Sequence, residues 1–214
     1  MLKKIYQQHI FPHLLNQVMQ TASLMDLRRE LLLQLKGEVL EIGFGTGLNL
    51  AFYQAVDHVY ALEPNAHIFA LAEPRIDFTP FQVSHVQASA DALPFADAHF
   101  SQVVSTWTLC SIQNLEQSLQ EIYRVLAPGG QFHLVEHVLD TEHLNIQRLQ
   151  HLLTPIQKRL ADGCHLNRNL ETALLATGFQ IDAIDYIQAA GIPKVAQRMM
   201  LARVSKPKAS FNVG

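Results

Sequence analysis

The chain has 214 residues, of which 49% are hydrophobic and 16% charged, so it can bury the core of one large α/β domain. Its formal net charge of -3, with lysine and arginine scattered along the chain, excludes the basic footprint of a nucleic-acid-binding protein and favours a small-molecule partner. The two cysteines cannot form a disulfide framework. Gln7, Gln8 and His9 interrupt the apolar core that a signal peptide needs, and no apolar run is long enough to span a bilayer. We therefore expect a cytoplasmic protein with no integral membrane segment, while peripheral contact with a membrane stays open.

The N-terminal part has a helical pattern. Leu14, Val18, Ala22 and Met25 recur at helical spacing, and further leucines continue the pattern until Gly37 ends it. We expect these helices, within residues 1–36, to fold over a ligand pocket as a lid.

Short β-like runs then alternate with helical segments, which is typical of a parallel sheet; the runs are VLEIG, HVYALE, FQVSHV, FSQVVS and QFHLVEHV. The clearest helix is NLEQSLQEIYRVL, with Leu115, Leu119, Ile122 and Leu126 on one face and Asn114 as its cap. Near the C-terminus, FQIDAIDYIQ and VAQRMMLARVSK predict an antiparallel hairpin at the sheet edge. The expected fold is an α/β, Rossmann-like, doubly wound and mostly parallel sheet of seven strands, with an antiparallel C-terminal hairpin strand and N-terminal lid helices.

A tight glycine turn follows the first predicted strand in VLEIGFGTG. Gly43, Gly45 and Gly47 leave the turn without side chains, so a ligand can approach its backbone closely. Glu63 comes twenty residues after Gly43, at the end of the next strand, where a carboxylate can accept hydrogen bonds from two ribose hydroxyls. The sequence therefore predicts a ligand that carries a ribose.

Dinucleotides and S-adenosylmethionine both satisfy this prediction. A pyrophosphate binder would read G-x-G-x-x-G, but the third position here is Leu48, and Glu41 would bring negative charge near the phosphates. A cationic sulfonium with an amino group tolerates that acid. The turn therefore favours S-adenosylmethionine, with a nicotinamide dehydrogenase as an alternative.

Four segments, VLEIGFGTG, ALEPN, ADALPFADAHFSQVVS and EIYRVLAPGGQFHLVEH, resemble the class I S-adenosylmethionine-dependent methyltransferases of the methyltransferase type 11 group, and the resemblance runs from about Leu24 to Arg203. It implies one methyltransferase domain over residues 1–214, with lid helices (1–36), a cofactor-binding core (37–139), a substrate cap region (140–178) and C-terminal strands (179–206). Cofactor contacts are implied for Glu41, Gly43, Phe44, Gly45, Thr46, Asn49, Glu63, Pro64, Asn65, Ala90, Asp91, Ser105 and Trp107. The chain has Ser89 where relatives often carry aspartate, so we expect Asp91 to accept from the adenine amino group.

A narrower resemblance, to the thiol methyltransferase-like subgroup, rests on LCSI, on the pair of Glu136 and His137, and on DGCHLNR in the cap region. Animal members carry an N-terminal membrane segment, which we do not expect here. The resemblance suggests His165 and His137 as catalytic residues, with His165 as a general base or, alternatively, a bystander. Cys164 and His165 are neighbours whose side chains point apart on an extended segment, and no CxxC or HxxxH set accompanies them, so we predict no metal site.

The expected reaction is direct methyl transfer, in which the protein aligns the two reactants and excludes water. A small thiol fits best as the acceptor because its pKa of about 8.5 requires only modest help to form the thiolate. The alternatives are a quinone or phospholipid-type C- or N-methyltransferase and a cofactor-binding regulator without catalysis.

Overall fold

The computed structural model describes Tyr6 and residues 10–208. Its helices are α1 (Phe11–Val18), α2 (Ala22–Leu32), α3 (Ala66–Phe69), α4 (Glu73–Ile76), α5 (Leu115–Val125), α6 (Leu144–Leu160) and α7 (Leu170–Thr177). Its strands are β1 (Lys36–Ile42), β2 (Ala55–Leu62), β3 (Gln82–Val86), β4 (Phe100–Thr106), β5 (Leu126–His137), β6 (Gln180–Gln188) and β7 (Arg198–Ser205). Short 3₁₀ turns lie at Leu48–Phe52 and Lys194–Ala196.

The strands form one seven-stranded sheet in the order β3-β2-β1-β4-β5-β7-β6. The first five strands are parallel, and β7 runs antiparallel between β5 and β6. The predicted mostly parallel sheet and its C-terminal hairpin are therefore confirmed. The strand order reverses between β1 and β4, which opens a crevice beyond their carboxyl ends where ligands of such sheets bind.

Each face of the sheet packs against its own hydrophobic core. On one face, Leu40 and Ile42 of β1 join buried residues of α5 and α7. On the other face, Val39 joins the buried leucines of α2. Successive β1 side chains point to opposite faces of the sheet. Because both faces are covered, apolar residues follow one another along β1 and do not alternate with exposed polar ones.

The N-terminal helices differ from the continuous apolar pattern expected from Leu14, Val18, Ala22 and Met25. Residues 19–21 separate α1 from α2, because Thr21 has an extended backbone (φ -56, ψ 136). Leu14 and Val18 are 47% and 58% exposed, since α1 buries Phe11 and Pro12 instead. The part of the predicted lid at residues 1–5 and 7–9 lies outside the described residues.

The predicted helix around Leu119 forms as α5, and the Asn114 side chain accepts the Gln117 backbone N–H at its start. It ends one residue before Leu126, which was expected on its apolar face. Leu126 instead begins β5, and its side chain is buried in the same core. Within the described part of the chain, no helix has the length and apolar character needed to cross a bilayer.

Candidate active site

The glycine turn lies in the crevice beyond β1. Gly43, Gly45 and Gly47 have φ values of +70°, +61° and +74°, which glycine adopts without strain. A Cβ on Gly43 would lie 2.1 Å from the Thr108 side chain, whereas a Cβ on Gly45 would have only the Gly43 carbonyl oxygen within 4 Å, at 3.8 Å. The backbone is thus closely packed at Gly43 and open at Gly45.

Glu63 joins the end of β2 to this turn. Its carboxylate accepts the backbone N–H of Gly45 at 3.0 Å and that of Asn65 at 2.9 Å. The side chain is largely buried, and this burial raises the pKa of Glu63 above its usual value. A carboxylate has about four acceptor positions, so two amide contacts leave room for hydroxyl donors.

Glu41 is the acceptor at the centre of a buried network beneath the turn. Asn49 Nδ2 donates to it at 2.8 Å and the Tyr53 hydroxyl at 2.6 Å. The Asn49 Oδ1 accepts from Arg28 Nε of α2 at 3.0 Å. Burial raises the pKa of Glu41 to about 7, against the opposing effect of these hydrogen bonds and of the Arg28 charge. Each carboxylate oxygen accepts one of these bonds, so Glu41 holds Asn49 in place beneath the turn, and its contact with a cofactor stays a prediction.

Helix α1 contacts the turn through Asn16. The Thr46 hydroxyl donates to Asn16 Oδ1 at 2.8 Å, and Arg75 Nη2 donates to the same oxygen at 3.2 Å. Arg75 Nη1 also donates to the Thr46 carbonyl oxygen at 2.8 Å. An N-terminal helix therefore lies on the glycine turn, as a lid would.

The predicted adenine residues follow β2 and β3. The Asn65 side chain caps α3 by accepting the His67 N–H at 3.0 Å, while Ala90 is buried and Asp91 half-buried in the loop after β3. The Pro64 carbonyl oxygen accepts from a glutamine of that loop at 3.4 Å. Among the other implied contacts, Phe44 is buried and its ring lies 5.6 Å from that of Phe69.

Trp107 follows β4 and has a φ of +51°, which is uncommon for a bulky residue. Its indole N–H donates to Met199 Sδ at 3.3 Å, and the Arg28 guanidinium lies 4.6 Å from the ring centroid. The ring thus packs between α2 and β7. Ser105 donates to Glu136 at 3.2 Å, so this hydroxyl is used within the sheet.

Glu136 fixes the segment after β4. Its fully buried carboxylate accepts the backbone N–H groups of Thr108 at 2.7 Å, Leu109 at 2.8 Å and Cys110 at 3.3 Å. Burial raises the pKa of Glu136. The guanidinium of Arg168 holds the same segment from the cap by donating to the carbonyl oxygens of Leu109 and Ile112.

The three motifs of the narrower resemblance meet at one point. Cys110 of LCSI, His137 beside Glu136, and Cys164 of DGCHLNR are all buried, and their donor atoms lie within 4.8 Å of one another. His137 Nε2 is 3.0 Å from Cys164 Sγ. Contact with the Cys110 thiol and with His137 lowers the pKa of Cys164, whereas the pKa of Cys110 is raised because Cys164 lies beside it.

The two predicted catalytic histidines therefore lie in different surroundings. His137 is buried between the cysteines, whereas His165 is partly exposed in a groove of about 580 Å³ beside α6, together with His151 and Lys158. His165 Nδ1 is 3.2 Å from the Cys110 carbonyl oxygen, and burial followed by the Arg168 charge lowers the pKa of His165. The role of His165 as a base stays a prediction.

Sequence reasoning missed several residues of the site. Asn16, Arg28 and Tyr53 reach the turn from separate elements, and no local motif marks them. Cys110 carried a signal, since LCSI is part of the narrower resemblance, but nothing in the sequence brings it together with His137 and Cys164.

Known proteins similar to this chain are methyltransferases. A family model described as a methyltransferase domain matches residues 40–134. The thiol S-methyltransferase TMT1A of Homo sapiens is 36% identical over 160 residues, which cover 72% of this chain and 64% of that protein. The ubiquinone/menaquinone biosynthesis C-methyltransferase UbiE of Klebsiella pneumoniae is 43% identical over 54 residues, or 25% of this chain and 22% of that protein.

An S-adenosylmethionine-dependent methyltransferase from Mesorhizobium loti has the same fold, with a TM-score of 0.63 and 17% identity over 87% of this chain and 98% of that chain. The chain spans less than two thirds of the length of the human relative.

Proposed function

Since the chain belongs to the class I S-adenosylmethionine-dependent methyltransferases, we propose that it transfers a methyl group from S-adenosylmethionine to a small-molecule thiol. The observation that carries the proposal is the pairing of the open backbone at Gly45 with the carboxylate of Glu63. The cytoplasmic location expected from the sequence stays a prediction.

The residues at the crevice fit this cofactor. Gly45 has space where a Cβ would stand, so backbone can approach a ligand there. Glu63 lies at the end of the strand next to the turn and has acceptor capacity left for the two ribose hydroxyls. The buried Glu41 places negative charge beneath the turn when it is ionised, which suits a cationic ligand better than a pyrophosphate.

The bound cofactor would supply a methyl group already activated by the positive sulfonium. The chain would then need only to bind, align and exclude water. Glu63 and the turn bind the adenosine, Asn49 and Glu41 keep the turn in position, and α1 covers it through Asn16. The segment after β4, held by the Glu136 carboxylate, forms the wall on the acceptor side.

A thiol is the favoured acceptor because TMT1A, a thiol S-methyltransferase by name, matches 72% of the chain. A quinone is the second candidate, because UbiE is by name a ubiquinone/menaquinone biosynthesis C-methyltransferase. It ranks second because UbiE matches only 25% of the chain. Exposed apolar residues on α6, Leu149, Leu152, Ile156 and Leu160, would suit a lipid-like acceptor.

The test incubates the purified chain with S-adenosylmethionine and, separately, a small alkyl thiol, a short-chain quinol and an amine, and detects methylated products by mass spectrometry. We expect the S-methyl product with the thiol. A C-methyl product from the quinol, with no product from the thiol, would show that the acceptor is a quinone-type compound and not a thiol. Calorimetric binding of S-adenosylmethionine without turnover on any acceptor would indicate a regulator, and absence of binding would overturn the proposal.

A further inference from the structure

The cluster of Cys110, His137 and Cys164 combines two sulfur donors and one imidazole nitrogen. The three residues come from different parts of the fold: the segment after β4, the last position of β5 and the loop after α6. Their donor atoms lie within 4.8 Å of one another, and Nε2 of His137 is 3.0 Å from Sγ of Cys164. A two-sulfur, one-nitrogen set is typical of sites that hold zinc with three protein ligands.

Backbone contacts hold these donors in place. The Cys110 N–H donates to Glu136, and the Cys110 carbonyl oxygen accepts the His165 N–H at 2.8 Å. The second contact joins the segment after β4 directly to the loop that carries Cys164. The Cys164 N–H in turn donates to the Ala161 carbonyl oxygen at 2.9 Å. Two of the three donors are thus fixed by hydrogen bonds of their own backbone, and the third is at the end of a paired strand.

Outside the cluster, the sulfur donors make only long contacts with the described residues, since Cys110 Sγ lies 3.6 Å from both the Ser111 hydroxyl oxygen and the Trp107 carbonyl oxygen. The Arg168 guanidinium, which could have paired with a thiolate, bonds instead to the carbonyl oxygens of Leu109 and Ile112. Gln157 Nε2 lies 3.8 Å from Cys164 Sγ, at the far limit of a hydrogen bond to sulfur. Around a tetrahedral zinc ion, neighbouring sulfur and nitrogen donors stand about 3.5 to 3.8 Å apart. Donors already gathered within 4.8 Å need only small movements to reach that spacing.

We propose that Cys110, His137 and Cys164 bind one Zn²⁺ ion, which replaces the expectation of no metal site that was drawn from Cys164 and His165 alone. The site goes beyond methyl transfer and does not depend on it. The ion would join the cap region to the segment after β4, whose Thr108 donates to Glu136 and packs against Gly43 of the cofactor turn. Binding of the metal would therefore stabilise the wall that separates the cofactor turn from the cap.

The test uses the full chain, freed of metal by a chelator and kept reduced with a phosphine. Zn²⁺ is titrated in competition with a chromophoric chelator, and Co²⁺ is used as a spectroscopic substitute. We expect one equivalent of Zn²⁺ to bind, and Co²⁺ to give the charge-transfer absorption of cobalt–thiolate bonds. Cys110→Ser, Cys164→Ser and His137→Gln should each lower Zn²⁺ affinity more than about 100-fold, beyond the loss seen for outer-shell partners of a metal.

His165→Gln is the matched control, because His165 is adjacent to Cys164 but outside the three-residue set, and it should keep the wild-type Zn²⁺ affinity. Absence of saturable binding by the reduced wild type, or Co²⁺ binding without thiolate absorption, would overturn the proposal. So would wild-type affinity in any of the three ligand variants. Should a variant fail to fold, the wild-type cobalt spectrum alone decides. S-adenosylmethionine titrations on the same samples separate failure of the metal site from failure of the proposed methyl transfer.

Discussion

Glu63 accepts the backbone N–H of Gly45 at 3.0 Å, which joins the end of β2 to the open position of the glycine turn. The two residues are 18 positions apart in the chain. The bond fixes the carboxylate beside a turn that has open space where a Cβ on Gly45 would stand. The residue expected to bind ribose is thus held by the backbone expected to bind the rest of the ligand.

Replacement of this carboxylate tests the cofactor site. Glu63→Ala should weaken S-adenosylmethionine binding by about 1.5 to 3 kcal/mol, because hydrogen bonds to a charged group are lost. That corresponds to a dissociation constant about 10- to 150-fold higher in calorimetric titration. Glu38→Ala, which removes an exposed carboxylate from the opposite end of β1, is the control and should bind normally. Unchanged affinity in a folded Glu63→Ala variant would contradict the assignment.

The open side of the turn gives a second test. Gly45→Val should abolish measurable S-adenosylmethionine binding, because the added side chain would fill the space that the ligand needs. It should also cost about 1 to 2 kcal/mol of stability, since an L-residue is strained at a φ of +61°.

Gly37→Val is the matched control. Gly37 has a φ of +69° and nothing within 4 Å of its Cβ position, but it lies at the start of β1, away from the crevice. Gly37→Val should lose a similar amount of stability, measured by urea denaturation, and should keep the wild-type affinity for S-adenosylmethionine. Equal binding by both variants would mean that Gly45 serves only the turn.

The sequence predicted those features of the fold and site that depend on local patterns. Strand alternation gave the sheet and its C-terminal hairpin, and the spacing from Gly43 to Glu63 placed both at one edge of the sheet. These features can be predicted because the spacing of apolar residues and the residue types of a turn are properties of short, continuous segments. Leu126 was misplaced because a buried leucine satisfies a helix face and a strand equally well.

The remaining parts of the site depend on contacts between distant segments. Tyr53 reaches Glu41 from the residue after a 3₁₀ turn, and Cys110 meets His137 and Cys164 only after two loops and a strand end have packed together. Adjacent residues such as Cys164 and His165 drew attention because they are neighbours in sequence. The fold directs their side chains into different surroundings.

The lid contact gives a third test. Asn16→Ala removes the oxygen that accepts from both Thr46 and Arg75, so α1 should detach more readily from the turn. We expect faster hydrogen exchange across residues 11–18 and a several-fold higher dissociation constant for S-adenosylmethionine, from a loss of about 0.5 to 1.5 kcal/mol. Gln17→Ala changes an exposed neighbour on the same helix and should alter neither measurement. Unchanged exchange in Asn16→Ala would show that this contact does not hold the helix.

The last test concerns the buried carboxyl of Glu41. Burial raises its pKa from 4.5 to about 7 in the folded chain, while the unfolded chain keeps the ordinary value. Between these two values the folded chain binds a proton on Glu41 that the unfolded chain has released. The free energy of unfolding should therefore fall as the pH rises through this window, by at most about 3 kcal/mol, and show no further change from this group above it.

Glu41→Gln cannot titrate, and its amide can still accept from Asn49 while Tyr53 accepts from it. Urea denaturation of both proteins at about pH 5 and about pH 8 isolates the effect, because every other group contributes equally to the two chains. We expect the wild type to lose stability relative to Glu41→Gln on going to the higher pH. The same pH dependence in both would mean that Glu41 is ionised throughout this range, with Arg28 and its hydrogen bonds outweighing its burial.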